Sequence, residues 1–380
     1  MKTTLFRLTL AALSVTSMLR AGEPNRPPIN PALLYWQAAA LLPEFKPEQS
    51  TLLNDLASGH QPFDEKAAKG LPNCEGSLRL ARKAAESTAP CDWGLLVEDG
   101  PEMTLPHIAK LRQIASILLV QADIQFADGK INDGLESVLT VHRLARHAGA
   151  GDLLIGNLVQ YAIETNVLRT AARHCLGWDT PTRHAYAEMI QNLPPLHTTQ
   201  AAYRGEHLFV DWLDRKLTQV AEHNGDRENL IKTLVGDIKP AEKEALAEDL
   251  APATFHAALT ELRSLENRAE TALGKPWAQA QPELTTLNEE AIHNTHYLVS
   301  LAFPATVAIG EKQFAIATLH TMLGAALEHG SQLDEAMASG YHDAFEGESL
   351  LLKKNADGTY TLSTRHQHPA GKELSLAFGK

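Results

Sequence analysis

The chain has 380 residues, 44% hydrophobic and 21% charged, and 46 Asp and Glu against 34 Lys and Arg give a formal net charge of −12. That length and apolar content supply a core that needs no staples, in one large domain or two smaller ones. The acidity, without any basic stripe, repels phosphate backbones and argues against nucleic acid as a partner.

The first residues carry Lys2 and Arg7 ahead of a short apolar run, the charged and hydrophobic regions of a secretory signal over residues 1–22. Val15 and Ser17 fit one cleavage point, and Ala21 or Gly22 another. The run is too short to span a bilayer. No cysteine follows it until Cys74, which argues against a lipid anchor. A periplasmic or secreted location is therefore expected. Residues 297–309 are apolar but short and interrupted by Pro304, so they read as a core helix rather than a membrane span.

A Pro-rich stretch (EPNRPPINP) leads into a predicted helix over 32–42, and shorter helical pieces follow, punctuated by Pro43, Pro47, Gly59 and Pro62. Cys74 and Cys91 flank the helical text SLRLARKAAEST. In an exported chain they are the candidate disulfide pair, with buried reduced thiols as the alternative. CDWGLLVEDGPEMTLP reads as a loop, with Trp93 as its packed anchor.

Residues 108–149 read as two amphipathic helices around a tight turn. Leu111, Ile114 and Leu118, then Leu135, Val138 and Leu139, recur at helical spacing. Gly129 suits a left-handed C-terminal cap, Asn132 or Asp133 an N-cap, and Asp133 with Glu136 has capping-box spacing. DGKIND within the turn is not a calcium loop, because Ile124 and Phe126 stand where oxygen ligands are needed. With Ala122, Ala127, Gly129 and Leu135 at small and apolar positions, this hairpin resembles one tetratricopeptide unit, without a 34-residue recurrence elsewhere.

Further helices are predicted over 152–176, 181–192, 198–223, 252–273, 283–303 and 305–329, with Thr180 before Pro181 a strong start signal. Strands appear only at the end: SLLLKK and TYTLST flank NADG as a hairpin, and KELSLAF adds a third. The expected fold is mainly α, a multi-helix body of packed α-α-hairpins over 30–339 with a small β-hairpin or meander over 340–380.

NPALLYWQAAALLP, CDWGLLVEDGPEMTLPHIAKLRQIA and YRGEHLFVDWLD resemble a family of exported helical proteins of planctomycete and verrucomicrobial type. In that family the C-terminal part is similar to a pseudopilin head, a long helix, a turn and a small β-meander. EKQFAIATLHTMLGAALEHGSQLDEA followed by HDAFEGESLLLKKNADGTYTLST is similar here, with Ala344 and Ser349 where proline is usual. The resemblance implies no activity.

Two constellations bear on chemistry. Glu289, His293 and His296 fall on one face of the helix predicted there, and such a set can hold zinc or iron with a further ligand. Arg204, Glu206, His207, Asp211 and Asp214 cluster in YRGEHLFVDWLDR, where Glu206, Asp211 and Asp214 are the candidate acid and base of a glycan-acting hydrolase. The competing reading is a helix face with local ion pairs such as Asp211 with Arg215. Cys175, beside His174 and followed by His184, reads as a core thiol rather than a nucleophile. Elbow, zincin, Walker and dinucleotide-binding signatures are missing. Whether the chain is an enzyme stays open, with the weight against. Its leading reading is an exported scaffold that binds a protein or cell-envelope component and needs no cofactor. An all-α hydrolase and a secretion- or pilus-associated component are the alternatives.

Overall fold

The computed structural model describes residues 28–96, 99–100, 103–151, 153–223, 239–251, 253–367 and 373–379. The expected leader, residues 1–22, lies outside the described residues. The described part is mainly α with one small antiparallel sheet at its C-terminal end. In chain order the helices are α1 (Pro31–Ala40), α2 (Pro47–Ser58), α3 (Glu65–Lys69), α4 (Glu75–Ala85), α5 (Pro106–Ala127), α6 (Ile131–Ala148), α7 (Leu154–Cys175) and α8 (Thr180–Gln191). They continue with α9 (Thr199–His223), α10 (Pro240–Asp249), α11 (Phe255–Leu273), α12 (Trp277–Ile292), α13 (Tyr297–Ala302), α14 (Thr306–His329) and α15 (Glu335–Ala338). The strands are β1 (Leu351–Lys354), β2 (Tyr360–Gln367) and β3 (Glu373–Phe378), ordered β1-β2-β3. No described helix is long and apolar enough to cross a membrane.

Local signals set most boundaries. Asn30 caps α1 by accepting from the Ala32 N–H at 3.1 Å, and Pro31 occupies the first turn, where a missing N–H costs nothing. The α5–α6 hairpin turns at Gly129, whose φ of 76° is the left-handed cap expected there. The N-cap of α6, however, is Lys130 with no side-chain bond, and Asp133 lies inside the first turn. There its charge still favours the positive helix end. Helix α8 starts one residue early, capped by Asp179, which accepts from Thr182 N–H at 2.9 Å. The helix predicted over 283–303 is two helices. Asp249 accepts from the backbone N–H of Leu298 and meets His296 Nδ1, each at 2.8 Å, which anchors a new helix start at α13.

Two cores organise the body. The first joins α1 to α8, most of α14 and the sheet; the second joins α9 to α13. Helices α5 and α7 bury residues on nearly every side, as helices with several neighbours must. α14 belongs to both cores. Its Ile316, Leu319, Met322 and Leu323 fill the first, while Val307, Ile309 and Phe314 pack on the second. The sheet is not a separate head, as a pilus-type unit would be. Tyr360, Leu362, Leu376 and Phe378 on its inner face join the first core, and the Gly379 N–H donates to the Ala172 carbonyl of α7 at 3.2 Å. Phe345, held in a turn where Asp343 Oδ1 accepts from the N–H groups of 345, 346 and 347, enters the second core.

A charged network sits inside the first core. The Glu164 side chain is fully buried, with His142 Nδ1 at 2.8 Å and His320 Nε2 at 2.9 Å from its Oε1, and Arg146 Nη1 at 3.1 Å from Oε2. Tyr186 Oη completes the set, 2.8 Å from His142 Nε2. An ionised Glu164 only accepts, so His142 donates from Nδ1 and accepts the Tyr186 hydroxyl at Nε2. Burial holds His142 below its usual range and so keeps it neutral. The network ties together α6, α7, α8 and α14. Similarly, the buried carboxylate of Asp123 on α5 takes Arg173 at 2.8 Å and His174 at 2.7 Å from α7.

The hairpin packs closely enough to need a glycine away from any turn. A Cβ at Gly134 would press on the Phe126 ring, which is itself set against His174 and Trp178, with centroids 4.5 Å and 5.5 Å away. Overpacking of this kind costs about 1–3 kcal/mol, against about 1 kcal/mol gained from alanine's helix propensity. Gly134→Ala is therefore expected to lower the urea midpoint at unchanged slope; a raised midpoint would show that the ring yields freely.

Candidate functional site

Helix α9 turns Tyr203, Val210, Leu213 and Leu217 into the second core and brings polar side chains to its margin. There the carboxylates separate by environment. Asp211 and Asp214 share one guanidinium nitrogen, Arg263 Nη2, at 2.9 and 3.1 Å, and all three side chains are at least one-third exposed. The local pairing suggested for Asp211 and Arg215 is thus replaced by a bridge to α11. Arg204 Nε bonds Glu270 Oε1 at 2.7 Å, also at the surface. These are the ion pairs of a solvated helix face.

Glu206 and Glu266 are different. Glu206 accepts from the backbone N–H of Leu154 at 3.2 Å, and burial raises its pKa. Glu266 on α11 is 1% exposed, its Oε2 has no hydrogen bond, and burial reinforced by the Glu206 charge pushes its pKa up to about 8. His207 is the nearest cation: Nδ1 lies 3.7 Å from Glu266 Oε2, and Nε2 lies 3.3 Å from Glu270 Oε2 without hydrogen-bond alignment. The Tyr203 hydroxyl is buried beside them, with no hydrogen bond. Its pKa rises through burial and then through the neighbouring Glu266 and Glu206. Carboxyls raised by burial beside unpartnered polar atoms are a pattern found at functional sites, which makes this cluster a candidate.

Beside this cluster runs an apolar groove of about 570 Å³ lined by residues of α7, α9, α13 and the loop before α5. Ile155, Leu208 and Leu301 stand on it 45%, 41% and 39% exposed, and Glu206 lends it a carboxyl. Glu266, Asp211 and Asp214 do not line it. A glycosidase needs two carboxyls across one sugar-sized cleft. The groove instead offers aliphatic contact and one protonatable acid that can donate or accept.

The sequence pointed to Glu206 and missed Glu266. A signal was present. Leu259, Leu262, Leu265, Ala269 and Leu273 form the buried stripe of α11, and Glu266 interrupts it. A charged residue inside an apolar stripe is the informative exception to ordinary patterning.

The other candidates are dispersed. α12 ends at Ile292, so Glu289 is helical, His293 is its C-cap and His296 is the N-cap of α13. The single helical face that would have joined them does not form. Glu289 and His293 are exposed, while His296 is bonded to Asp249. Among the described residues no three His, Cys, Asp or Glu side chains are grouped to hold a metal ion. Cys74 and Cys91 are free thiols rather than a disulfide: Cys74 sits at the N-cap of α4 and donates to the Pro72 carbonyl at 3.3 Å. Cys175 is buried in α7, where burial pushes its thiol up to about 12, which suits core packing and not nucleophilic attack. Trp93 is the expected anchor, stacked on His107 at 4.5 Å with its indole N–H donated to the His147 carbonyl at 2.8 Å.

Comparison of the chain with family models, curated proteins and solved structures gives no match.

Proposed function

We propose that the protein is an exported helical scaffold of the cell envelope that binds a partner protein. The Glu206 groove takes an apolar segment of that partner. The supporting observation is the exposure of Ile155, Leu208 and Leu301 together along one groove. Monomeric surfaces scatter large aliphatics singly, and a contiguous set rimmed by polar groups is the pattern of an interaction site. The charge of −12 favours a segment with basic flanks. The secretory signal read at residues 1–22 supplies the compartment.

A photo-crosslinking residue at position 208, used in the native envelope, tests the reading. A discrete crosslinked protein is expected, and Leu301→Asp should reduce its yield by about tenfold, the effect of losing a central apolar contact. Equal crosslinking in the Leu301→Asp variant, or no discrete product, would count against the groove as the binding surface.

A further inference from the structure

A second cavity, of about 810 Å³, shares no lining residue with the groove. Its walls are the segment after α4 (85–91), the last turns of α6, and the prolines and His197 that precede α9. Arg143, Arg146, His147 and His197 all line it, against one acidic residue, the exposed Glu86. We infer that this cavity is a binding site for a phosphate monoester, a ligand whose dianionic group sits between Arg143, Arg146 and His147.

The geometry favours an anion because Arg143, Arg146 and His147 have donors to spare. Arg146 uses Nη1 on Glu164 and on the His142 carbonyl, and Nε on the Pro194 carbonyl at 2.7 Å, so the guanidinium is fixed while Nη2 has no partner among the described residues. Arg143 lies one turn earlier and makes no hydrogen bond or ion pair among the described residues. Complementing the negative end of α6 accounts for basic residues in the last turn, Arg146 and His147, but not for Arg143. His147 Nδ1 lies 3.1 Å from the Tyr35 hydroxyl, which fixes the ring and leaves Nε2 without a partner among the described residues. Burial, then the charges of His197, Arg143 and Arg146, hold His147 down at about 4. The part of this shift that comes from neighbouring charge, smaller than that from burial, is what a bound anion relieves. Guanidinium forks match phosphate oxygens in pairs, so Arg143 and the outward N–H of Arg146 can bind the anion, whose charge favours protonation of the His147 ring beside them. The volume exceeds what inorganic phosphate fills, which is why a monoester is favoured. Cys91, also on the wall, is pushed up to about 12 by burial, so its thiol supplies no nucleophile.

The test titrates the purified protein at pH 7 and constant ionic strength with inorganic phosphate, with phenyl phosphate, and with chloride as control. Binding is followed by calorimetry and by the His147 ring signal. Saturable binding of both phosphates is expected, tighter for the monoester and absent for chloride, with the His147 titration moving upward when loaded. Arg143→Gln should weaken binding about tenfold with an unchanged circular dichroism spectrum, and Arg143→Lys should recover part of it. Absence of saturable binding, or equal affinity in Arg143→Gln, would overturn the assignment. Because Leu301→Asp leaves this cavity intact, failure here and failure of the groove are separately visible.

Discussion

Glu164→Gln is expected to be the most damaging single-atom-scale change in the protein, lowering stability at pH 7 by about 3–5 kcal/mol, the usual cost of stranding one half of a buried ion pair. Burial by itself would raise the Glu164 pKa. His142, His320 and Arg146 outweigh it and hold the carboxyl well below the usual carboxylate range. A glutamine keeps the volume but not the charge, so it leaves the Arg146 guanidinium, 7% exposed, without its counter-ion. It also offers one acceptor oxygen where His142 and His320 share one and Arg146 takes the other. A group whose folded pKa is depressed contributes stability above its unfolded pKa, here near 4.5, and loses that contribution as pH falls towards the folded value. The deficit of the variant should therefore be full at neutral pH and shrink in acid. Urea denaturation at pH 7 and in acid, followed by circular dichroism, measures both. A variant as stable as the parent at pH 7 would show that Glu164 is not ionised in the fold.

Glu266→Gln is expected to do the opposite. The folded pKa of Glu266, about 8, stands above its ordinary 4.5, so the folded chain keeps a proton that the unfolded chain releases. Stability is undiminished below about pH 4.5 and falls as pH rises towards 8, after which the penalty is constant. At 1.36 kcal/mol per pKa unit, the raised value corresponds to about 3–5 kcal/mol. Glutamine is neutral at every pH and nearly isosteric, so the variant should be more stable than the parent by roughly that amount at pH 8 and equal to it at pH 4. Parallel thermal melts across this range decide the matter. Destabilisation at pH 8 would mean that Glu266 is ionised and held by His207. The two glutamates thus make opposite tests of burial, one surrounded by donors and one nearly without them.

The α5–α6 hairpin was legible because its determinants are local: a glycine that accepts a positive φ, and apolar residues three and four apart. Capping was displaced by one residue at Asp179, and at Lys130 no side chain caps at all, since neighbouring polar residues compete for such positions. The break between α12 and α13 was not legible, because apolar periodicity continues across it and the deciding carboxylate, Asp249, lies 49 residues from the Leu298 N–H it accepts. α10 was missed outright. The site shows the same division. Glu206 stood out in a polar run, but its partner in charge, Glu266, is on another helix, and His142 meets Glu164 and Tyr186 across 22 and 44 residues. Sequence proximity carries helices and caps; burial of a particular carboxyl depends on helices brought together from far along the chain.

The segment after residue 340 places Phe345 in one core and the strands in the other. This imposes an order in time. While the chain is being synthesised from its N-terminus, neither core has its full set of side chains until this segment emerges, however early the helices form. Packing of both cores is therefore completed only when this segment docks.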